Sequence, residues 1–133
     1  MKRILVAEDR PASLELIRTV LESAGYEVID AMDGQDALHK AGTNSVDLVL
    51  LDLQMPKIDG FGVVRQLRND PKFNTIPIVA LTASAMQGDR ERALGAGFSS
   101  YIAKPIDLAA LRSEIERLLS GKGDSDASKR EIF

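Results

Sequence analysis

Four short apolar runs in the chain each end at a polar residue. The runs cover residues 4–7, 49–51, 78–81 and 101–103, and the polar residues that follow them are Glu8 with Asp9, Asp52, Thr82 and Lys104. Continuous aliphatic runs without polar alternation are typical of strands that are buried on both faces of a parallel sheet. Functional sites in open parallel sheets form at the carboxyl ends of the strands. We therefore predict that three acids, one hydroxyl and one amine meet at a single edge of the sheet.

The segments between the apolar runs predict helices, so strands and helices alternate along the chain. Strands are predicted at residues 4–7, 28–29, 46–51, 76–81 and 100–103, and helices at residues 11–24, 37–41, 61–67, 86–94 and 108–119. Asp33 and Gly34 predict a turn before the second helix. This alternation implies right-handed crossovers and a doubly wound parallel α/β sheet.

Apolar residues at helical spacing indicate which helix faces pack against the sheet. In the first helix, Leu14, Ile17 and Leu21 form one stripe, which Leu16 and Val20 widen. The segment at residues 86–94 is only weakly apolar, whereas residues 108–119 give the strongest amphipathic pattern. His39, the only histidine, is predicted to lie on the surface.

Composition limits the chain to one ordinary globular domain. Of its 133 residues, 44% are hydrophobic and 28% are charged, which is enough to bury a sizeable core. We predict a domain over residues 1–120 and a polar tail over residues 121–133. The formal net charge of −3 gives no electrostatic case for direct nucleic-acid binding. The chain has no cysteine and no apolar stretch long enough for a signal peptide or a membrane span, so we expect a cytoplasmic protein.

The acids at the predicted edge suit a magnesium-dependent phosphoryl acceptor. Asp9 and Asp52 would repel each other unless a cation lies between them, and carboxylates with water are ligands that Mg²⁺ prefers. Asp52 can take up a phosphoryl group as an aspartyl phosphate. Lys104 can pair with Asp52 before the transfer and with a phosphoryl oxygen afterwards, and Thr82 can donate a hydrogen bond to another. Each residue alone has an ordinary explanation as a loop, cap or surface residue, but together they favour this site.

Two other classes of protein share parts of this pattern. An aspartate-nucleophile phosphatase usually has a second acid two residues after the nucleophile to protonate the leaving group, and here that position is Gln54. A flavodoxin-like cofactor carrier needs a phosphate-binding loop after the first strand, and the acidic, proline-containing residues 8–11 suit that role poorly. Turnover of small phosphate esters would favour the phosphatase, and a yellow protein would favour the flavin carrier.

Four motifs follow the predicted strands: the Glu8-Asp9 pair, DLQMPKIDG at residues 52–60, TAS at residues 82–84 and YIAKP at residues 101–105. Together they resemble the response-regulator receiver domain of two-component signalling. Any one motif is weak, but all four occur in order at the ends of the first, third, fourth and fifth predicted strands. The resemblance covers roughly the first nine-tenths of the chain and implies a flavodoxin-like α/β fold. In that fold, five parallel strands in the order 2-1-3-4-5 are combined with five helices.

The resemblance also implies a role for each motif residue. Asp52 would accept a phosphoryl group from a phosphohistidine, assisted by Lys104 and Thr82. Thr82 and Tyr101 would form the switch pair, and the Lys104–Pro105 peptide bond would be cis. The Mg²⁺ ligands would be Glu8, Asp9, Asp52 and the backbone carbonyl of Gln54.

The implied partners are a histidine kinase or histidine phosphotransfer protein and a downstream protein target. The implied output surface is formed by the fourth helix, fifth strand and fifth helix, where partner choice would involve Arg90, Arg92, Arg112 and Glu116. A monomer or a weak dimer through that surface is expected, with no direct contact to nucleic acid or membrane. The chain would catalyse only its own phosphotransfer and slow autodephosphorylation. It resembles single-domain regulators, with a receiver cut from a hybrid kinase or larger regulator as the alternative.

Two features fall outside the motifs. Arg10 follows the acid pair, where the family often has a small polar or acidic residue, so a cation there could oppose Mg²⁺ or contact phosphate. In the tail, Ile132 and Phe133 are the apolar residues larger than alanine. We hypothesise that they dock in an apolar groove, either beside the last helix or on a neighbouring molecule.

Overall fold

The computed structural model describes residues 2–55, 57–83 and 87–120, without the side chains of Gln87 and Asp89. The tail at residues 121–133, with the proposed docking of Ile132 and Phe133, lies outside the described residues, as does Ser84 of the third motif. Within the described ranges, no helix is both long and apolar enough to cross a bilayer.

The described residues form five strands and five α-helices in alternation. The strands are β1 (Arg3–Ala7), β2 (Glu27–Ala31), β3 (Leu48–Asp52), β4 (Ile78–Thr82) and β5 (Ser100–Ala103). The helices are α1 (Pro11–Ser23), α2 (Gly34–Thr43), α3 (Gly60–Arg68), α4 (Gln87–Ala96) and α5 (Leu108–Leu119). A single 3₁₀ turn at Pro71–Phe73 follows α3. All strand pairs are parallel in the order β2-β1-β3-β4-β5, which confirms the predicted fold.

The strands carry continuous apolar runs because helices cover both faces of the sheet. On β1, Leu5 and Ala7 belong to the core shared with α2, α3 and α4, whereas Ile4 and Val6 belong to the core shared with α1 and α5. Every residue of β3 and β4 is buried. An alternating polar pattern would have placed polar side chains in one of these two cores.

Two polar residues predicted to follow strands are in fact their last members. The parallel ladder continues far enough to pair Asp52 with Leu81 and Thr82 with Ala103. β2 is also longer than the two predicted residues, and β3 and β4 begin two residues later than predicted. The side chains of Asp52 and Thr82 therefore stand on the sheet itself rather than on the loops that follow.

The chain bends at Asp33 between β2 and α2, as predicted, but Gly34 already belongs to α2 rather than to the turn. Asp33 is the N-cap, and its Oδ1 accepts a hydrogen bond from the backbone N–H of Asp36 at 2.8 Å. Gly34 is the first helical residue and is buried. Such a side-chain cap satisfies one of the free N–H groups of the first turn and fixes where the helix starts.

Arg68, at the end of α3, binds four acceptors at the amino-terminal edge of β4 and β5. Its guanidinium donates to the carbonyls of Phe73, Ile76 and Gly97 at 2.5, 2.9 and 2.9 Å and to Ser99 Oγ at 3.1 Å. Burial lowers the pKa of Arg68, yet an arginine keeps its charge at neutral pH. Arg68 thereby holds the end of α3, the 3₁₀ turn and the loop after α4 in one arrangement.

Candidate functional site

The ends of β1 and β3 bring three carboxyl groups together. Glu8 and Asp9 follow β1 directly, and Asp52 ends β3, the neighbouring strand. One carboxylate oxygen from each residue lies within 4.8 Å of the other two. Glu8 and Asp52 are buried, and Asp9 is half-buried. The acids that the sequence placed at one edge therefore form a compact cluster.

Lys104, just after β5, links two of these acids. Its Nζ lies 2.9 Å from Glu8 Oε1 and 3.0 Å from Asp52 Oδ2. The Lys104 side chain is 16% exposed, against 0% for Glu8 and 3% for Asp52. Its backbone N–H donates a hydrogen bond to the carbonyl of Thr82 at 2.7 Å, and this bond to β4 fixes the position of the Lys104 backbone. The predicted pairing of Lys104 with Asp52 is present and is shared with Glu8.

Burial and hydrogen bonds determine the pKa values of Glu8 and Lys104, which form an ion triad with Asp52. Burial raises the pKa of Glu8 above its ordinary value, and the neighbouring Asp52 adds to that rise while Lys104 opposes it. Burial acts to lower the pKa of Lys104, but its bonds to Glu8 and Asp52 outweigh this effect and raise it. Lys104 is consequently a firmly charged cation beside the Asp52 carboxylate at neutral pH.

The loop from β3 to α3 orients the other oxygen of Asp52. Asp52 Oδ1 accepts a hydrogen bond from the backbone N–H of Gln54 at 2.9 Å, so both carboxylate oxygens are engaged. Asp59 caps α3 through Gly62 N–H at 3.0 Å. Lys57 in this loop has a φ of 66°, and its Nζ lies 3.4 Å from Asp33 at the start of α2. Contacts to two helices therefore hold the loop in place.

The remaining motif residues lie on β4, β5 and the loop after β5. Thr82 is 1% exposed at the end of β4. Tyr101 is half-buried and packs against the core on the α2–α3–α4 side. The peptide bond between Lys104 and Pro105 is cis, the isomer that the resemblance implies. The structure thus places Glu8, Asp9, Asp52, Thr82, Tyr101 and Lys104 at or near the ends of β1, β3, β4 and β5.

A cleft of about 540 Å³ opens above the acid cluster. Asp9, Asp52 and Lys104 line its floor, Arg10 lines its rim, and an apolar wall is formed by Leu16, Ile17, Ile106 and Leu108. The prediction that Leu16 widens the buried stripe of α1 is wrong, since it is 57% exposed. The stripe of Leu14, Ile17 and Leu21 already covers the sheet. Leu16 lies two residues after Leu14 and therefore off this stripe, and this offset was the sequence signal that it faces the cleft rather than the sheet.

The donor set of the acid cluster fits a hard divalent cation. All three ligand candidates offer carboxylate oxygens, the ligand type that Mg²⁺ takes in sites that also bind phosphate. The cluster opens to the cleft through the half-buried Asp9, which leaves room for water and a phosphoryl group. Soft metals that require thiolate ligands are excluded because the chain has no cysteine.

Comparison with known proteins identifies this arrangement. The family model of the response regulator receiver domain matches residues 4–116. The chain belongs to the response regulator receiver domain family. It is therefore a receiver domain of two-component signalling, a class of signalling proteins.

Relatives of this receiver domain include both single regulators and parts of kinases. The polar-differentiation response regulator DivK of Brucella anthropi is 37% identical over 93% of this chain and 98% of its own length. The receiver domain of a sensor histidine kinase from Pseudomonas aeruginosa, solved with a magnesium ion in its active site cleft, is 38% identical. It matches with a TM-score of 0.83 over 90% of this chain and 98% of its own. Chemotaxis protein CheY4 of Vibrio cholerae matches with a TM-score of 0.85 and 28% identity, over 90% of this chain and 99% of its own.

Proposed function

We propose that this receiver domain is a phosphorylation-dependent switch whose acceptor is Asp52. The observation that carries the proposal is the position of Asp52, which lies at the floor of an open cleft and is paired with Lys104 at 3.0 Å. The donor would be a phosphohistidine on a histidine kinase or phosphotransfer protein. The working unit would be residues 1–120, acting in the cytoplasm, with residues 121–133 as a tail.

The proposed transfer forms one bond and breaks one. A carboxylate oxygen of Asp52 attacks phosphorus, forming a P–O bond, while the P–N bond to the donor imidazole breaks. The electron pair of that bond returns to the ring nitrogen, and a proton from solvent keeps the released imidazole neutral. Lys104 Nζ already faces Asp52 and would follow the negative charge onto a phosphoryl oxygen. The Thr82 hydroxyl would donate a hydrogen bond to another phosphoryl oxygen.

Glu8, Asp9, Asp52 and the carbonyl of Gln54 would hold Mg²⁺, as the resemblance implies. When bound, the ion supplies positive charge that offsets the negative charge of the phosphoryl group. The protein holds the acids close together before any ion arrives. In slow autodephosphorylation, a water oxygen would attack phosphorus, the P–O bond to Asp52 would break, and the Asp52 carboxylate would be restored with release of inorganic phosphate.

A phosphatase would use the same acceptor but also needs an acid to protonate its leaving group. Two residues beyond Asp52, the Gln54 amide cannot take that role, and its side chain is exposed. Lasting phosphorylation rather than turnover of phosphate esters is therefore the outcome that this site supports.

Intact mass spectrometry after incubation with acetyl phosphate tests the acceptor chemistry. With Mg²⁺ present, we expect the mass to rise by one phosphoryl group, and peptide mapping should locate it at Asp52. Removing Mg²⁺ with a chelator should suppress the gain, because the carboxylates and the donor are both negative. A gain of equal rate and extent in the chelator would contradict the proposed metal dependence.

The proposed output surface comprises α4, β5 and α5, and α4 is held there by few apolar contacts. Of the α4 side chains that the structure describes, Ala93 is the buried hydrophobic one, and Leu94 is 36% exposed. Arg92 lies over the Phe61 ring of α3, with its guanidinium carbon 4.8 Å from the ring centroid. A helix with so small a buried face can shift at low cost when Thr82 and Tyr101 rearrange.

Amide NMR spectra with and without beryllofluoride, a mimic of the phosphoryl group, test the switch. We expect shift changes at the metal loops and also along α4, β5 and α5, because the phosphoryl group would draw Thr82 inward and give Tyr101 room to turn. The exposed Arg112–Glu116 pair on α5 gives a reporter remote from the acids. Changes confined to the loops around Asp52 would disprove this surface as the output.

A further inference from the structure

Arg10 presents a cation at the cleft that the proposed mechanism does not use. It is the N-cap residue of α1, where its side chain makes no capping hydrogen bond. Its backbone N–H donates to Glu8 Oε2 at 3.2 Å, which places the residue beside the acid cluster. The side chain is exposed and lines the same cleft as Asp52 and Lys104. Among the residues that the structure describes, none pairs with its guanidinium.

The charge balance of the cleft shows what this cation changes. The three acids of the cluster carry three negative charges, and the cleft-lining Lys104 and Arg10 carry two positive charges, which leaves one negative charge when all of them are ionised. A bound Mg²⁺ would turn this into one positive charge. With a neutral residue at position 10, the same loaded cleft would have no net charge. An approaching anion therefore experiences attraction that depends on Arg10.

We propose that Arg10 is a specificity-determining residue that favours anionic phosphodonors at the expense of Mg²⁺ affinity. This inference rests on the proposed acceptor function of Asp52. Lys104 is half-buried and paired with two carboxylates, whereas Arg10 is exposed at the rim and reaches an incoming donor first. The exposed guanidinium can bind phosphate oxygens in a bidentate manner. The same positive charge repels a divalent cation at the acid cluster.

The test compares two small donors of different charge at saturating Mg²⁺. Acetyl phosphate is a dianion at neutral pH and releases acetate, whereas phosphoramidate carries less negative charge and releases ammonia. For Arg10→Gln we expect the phosphorylation rate constant with acetyl phosphate to fall about threefold to tenfold at low salt, as expected for one charge several ångströms away. The decrease with phosphoramidate should be smaller. At about 1 M salt, where the screening length is about 3 Å, the difference between the donors should largely vanish.

Mg²⁺ affinity gives a second readout that needs no phosphodonor. An NMR titration of Arg10→Gln with Mg²⁺ alone should show binding about twofold to tenfold tighter than in the unaltered protein, because the repulsion is removed. Arg10→Lys keeps the charge, so it should keep the original Mg²⁺ affinity and most of the acetyl phosphate rate; it loses only the bidentate contact to phosphate oxygens. Arg65→Gln is the matched control: Arg65 is exposed on α3 and is not among the residues lining the cleft. It should change neither measurement.

The possible results distinguish a failure of the proposed function from a failure of the role proposed for Arg10. If the unaltered protein gains no phosphoryl group on Asp52, the proposed function fails. If the unaltered protein is phosphorylated on Asp52 but Arg10→Gln has the same phosphorylation rate constants with both donors, the role of Arg10 is disproved. An equal, salt-independent loss with both donors would also overturn it, since that result indicates a structural role at the start of α1.

Discussion

Asp52→Asn should leave a folded protein that gains no phosphoryl group from acetyl phosphate in the presence of Mg²⁺. Asparagine keeps the size of aspartate, so its Oδ1 can still accept from Gln54 N–H, as Asp52 does at 2.9 Å. Its amide is not a nucleophile that can form an acyl phosphate. We expect the rate measured by intact mass to fall by a factor of about 10³ or more, the scale seen when a nucleophile is removed.

Asp9→Asn is the matched control for this prediction. It also removes one negative charge from the acid cluster, but it leaves the acceptor and both Lys104 ion pairs in place. We expect this variant to be phosphorylated on Asp52, with a higher Mg²⁺ concentration needed for half-maximal rate. If Asp52→Asn gained a phosphoryl group as fast as Asp9→Asn, the acceptor would have to be another residue.

The acid cluster was predictable because its signals are local in the sequence. Each acid stands at the end of an apolar run, and parallel strands necessarily bring such ends to one edge. The sequence does not predict that Lys104 pairs with both Glu8 and Asp52. Glu8 and Asp52 lie 96 and 52 residues from Lys104 along the chain, and the choice between them depends on distances in the folded state.

The contacts of Arg68 lay beyond sequence reasoning for a different reason. Three of its four acceptors are backbone carbonyls, and any residue provides such a group, so no motif marks them. The 3₁₀ turn and the exposed position of Leu16 likewise depend on how neighbouring elements pack. Alternation of strands and helices fixes the topology, but these details follow from close contacts that only the folded chain defines.

Gly34 illustrates such a contact at the start of α2. A Cβ atom built on Gly34 would lie 1.8 Å from the carbonyl oxygen of Ile58 and 2.7 Å from its carbonyl carbon. Both are backbone atoms, so no side-chain rotation can relieve the overlap. Either α2 or the loop after β3 would have to move, and that loop also holds Asp52 through Gln54. The β3–α3 loop and the start of α2 thus fit together only when residue 34 is glycine.

Gly34→Ala should therefore destabilise the protein by about 3 kcal/mol, at the upper end of the usual cost of overpacking. It should also weaken Mg²⁺ binding, because the displaced loop carries the Gln54 carbonyl, which we propose as a ligand of the ion. Urea unfolding measures the first effect and an NMR titration measures the second.

Gly42→Ala, on the same helix, controls for helix propensity. A Cβ at Gly42 would meet nothing within 4 Å, so we expect this variant to be as stable as the unaltered protein or more stable by about 0.5–1 kcal/mol, since alanine favours helix. Unchanged Mg²⁺ binding in Gly42→Ala beside a loss in Gly34→Ala would link the loss to the Ile58 contact. If the two variants instead unfolded at the same urea concentration, the close approach of Gly34 to Ile58 would not constrain the loop that positions Asp52.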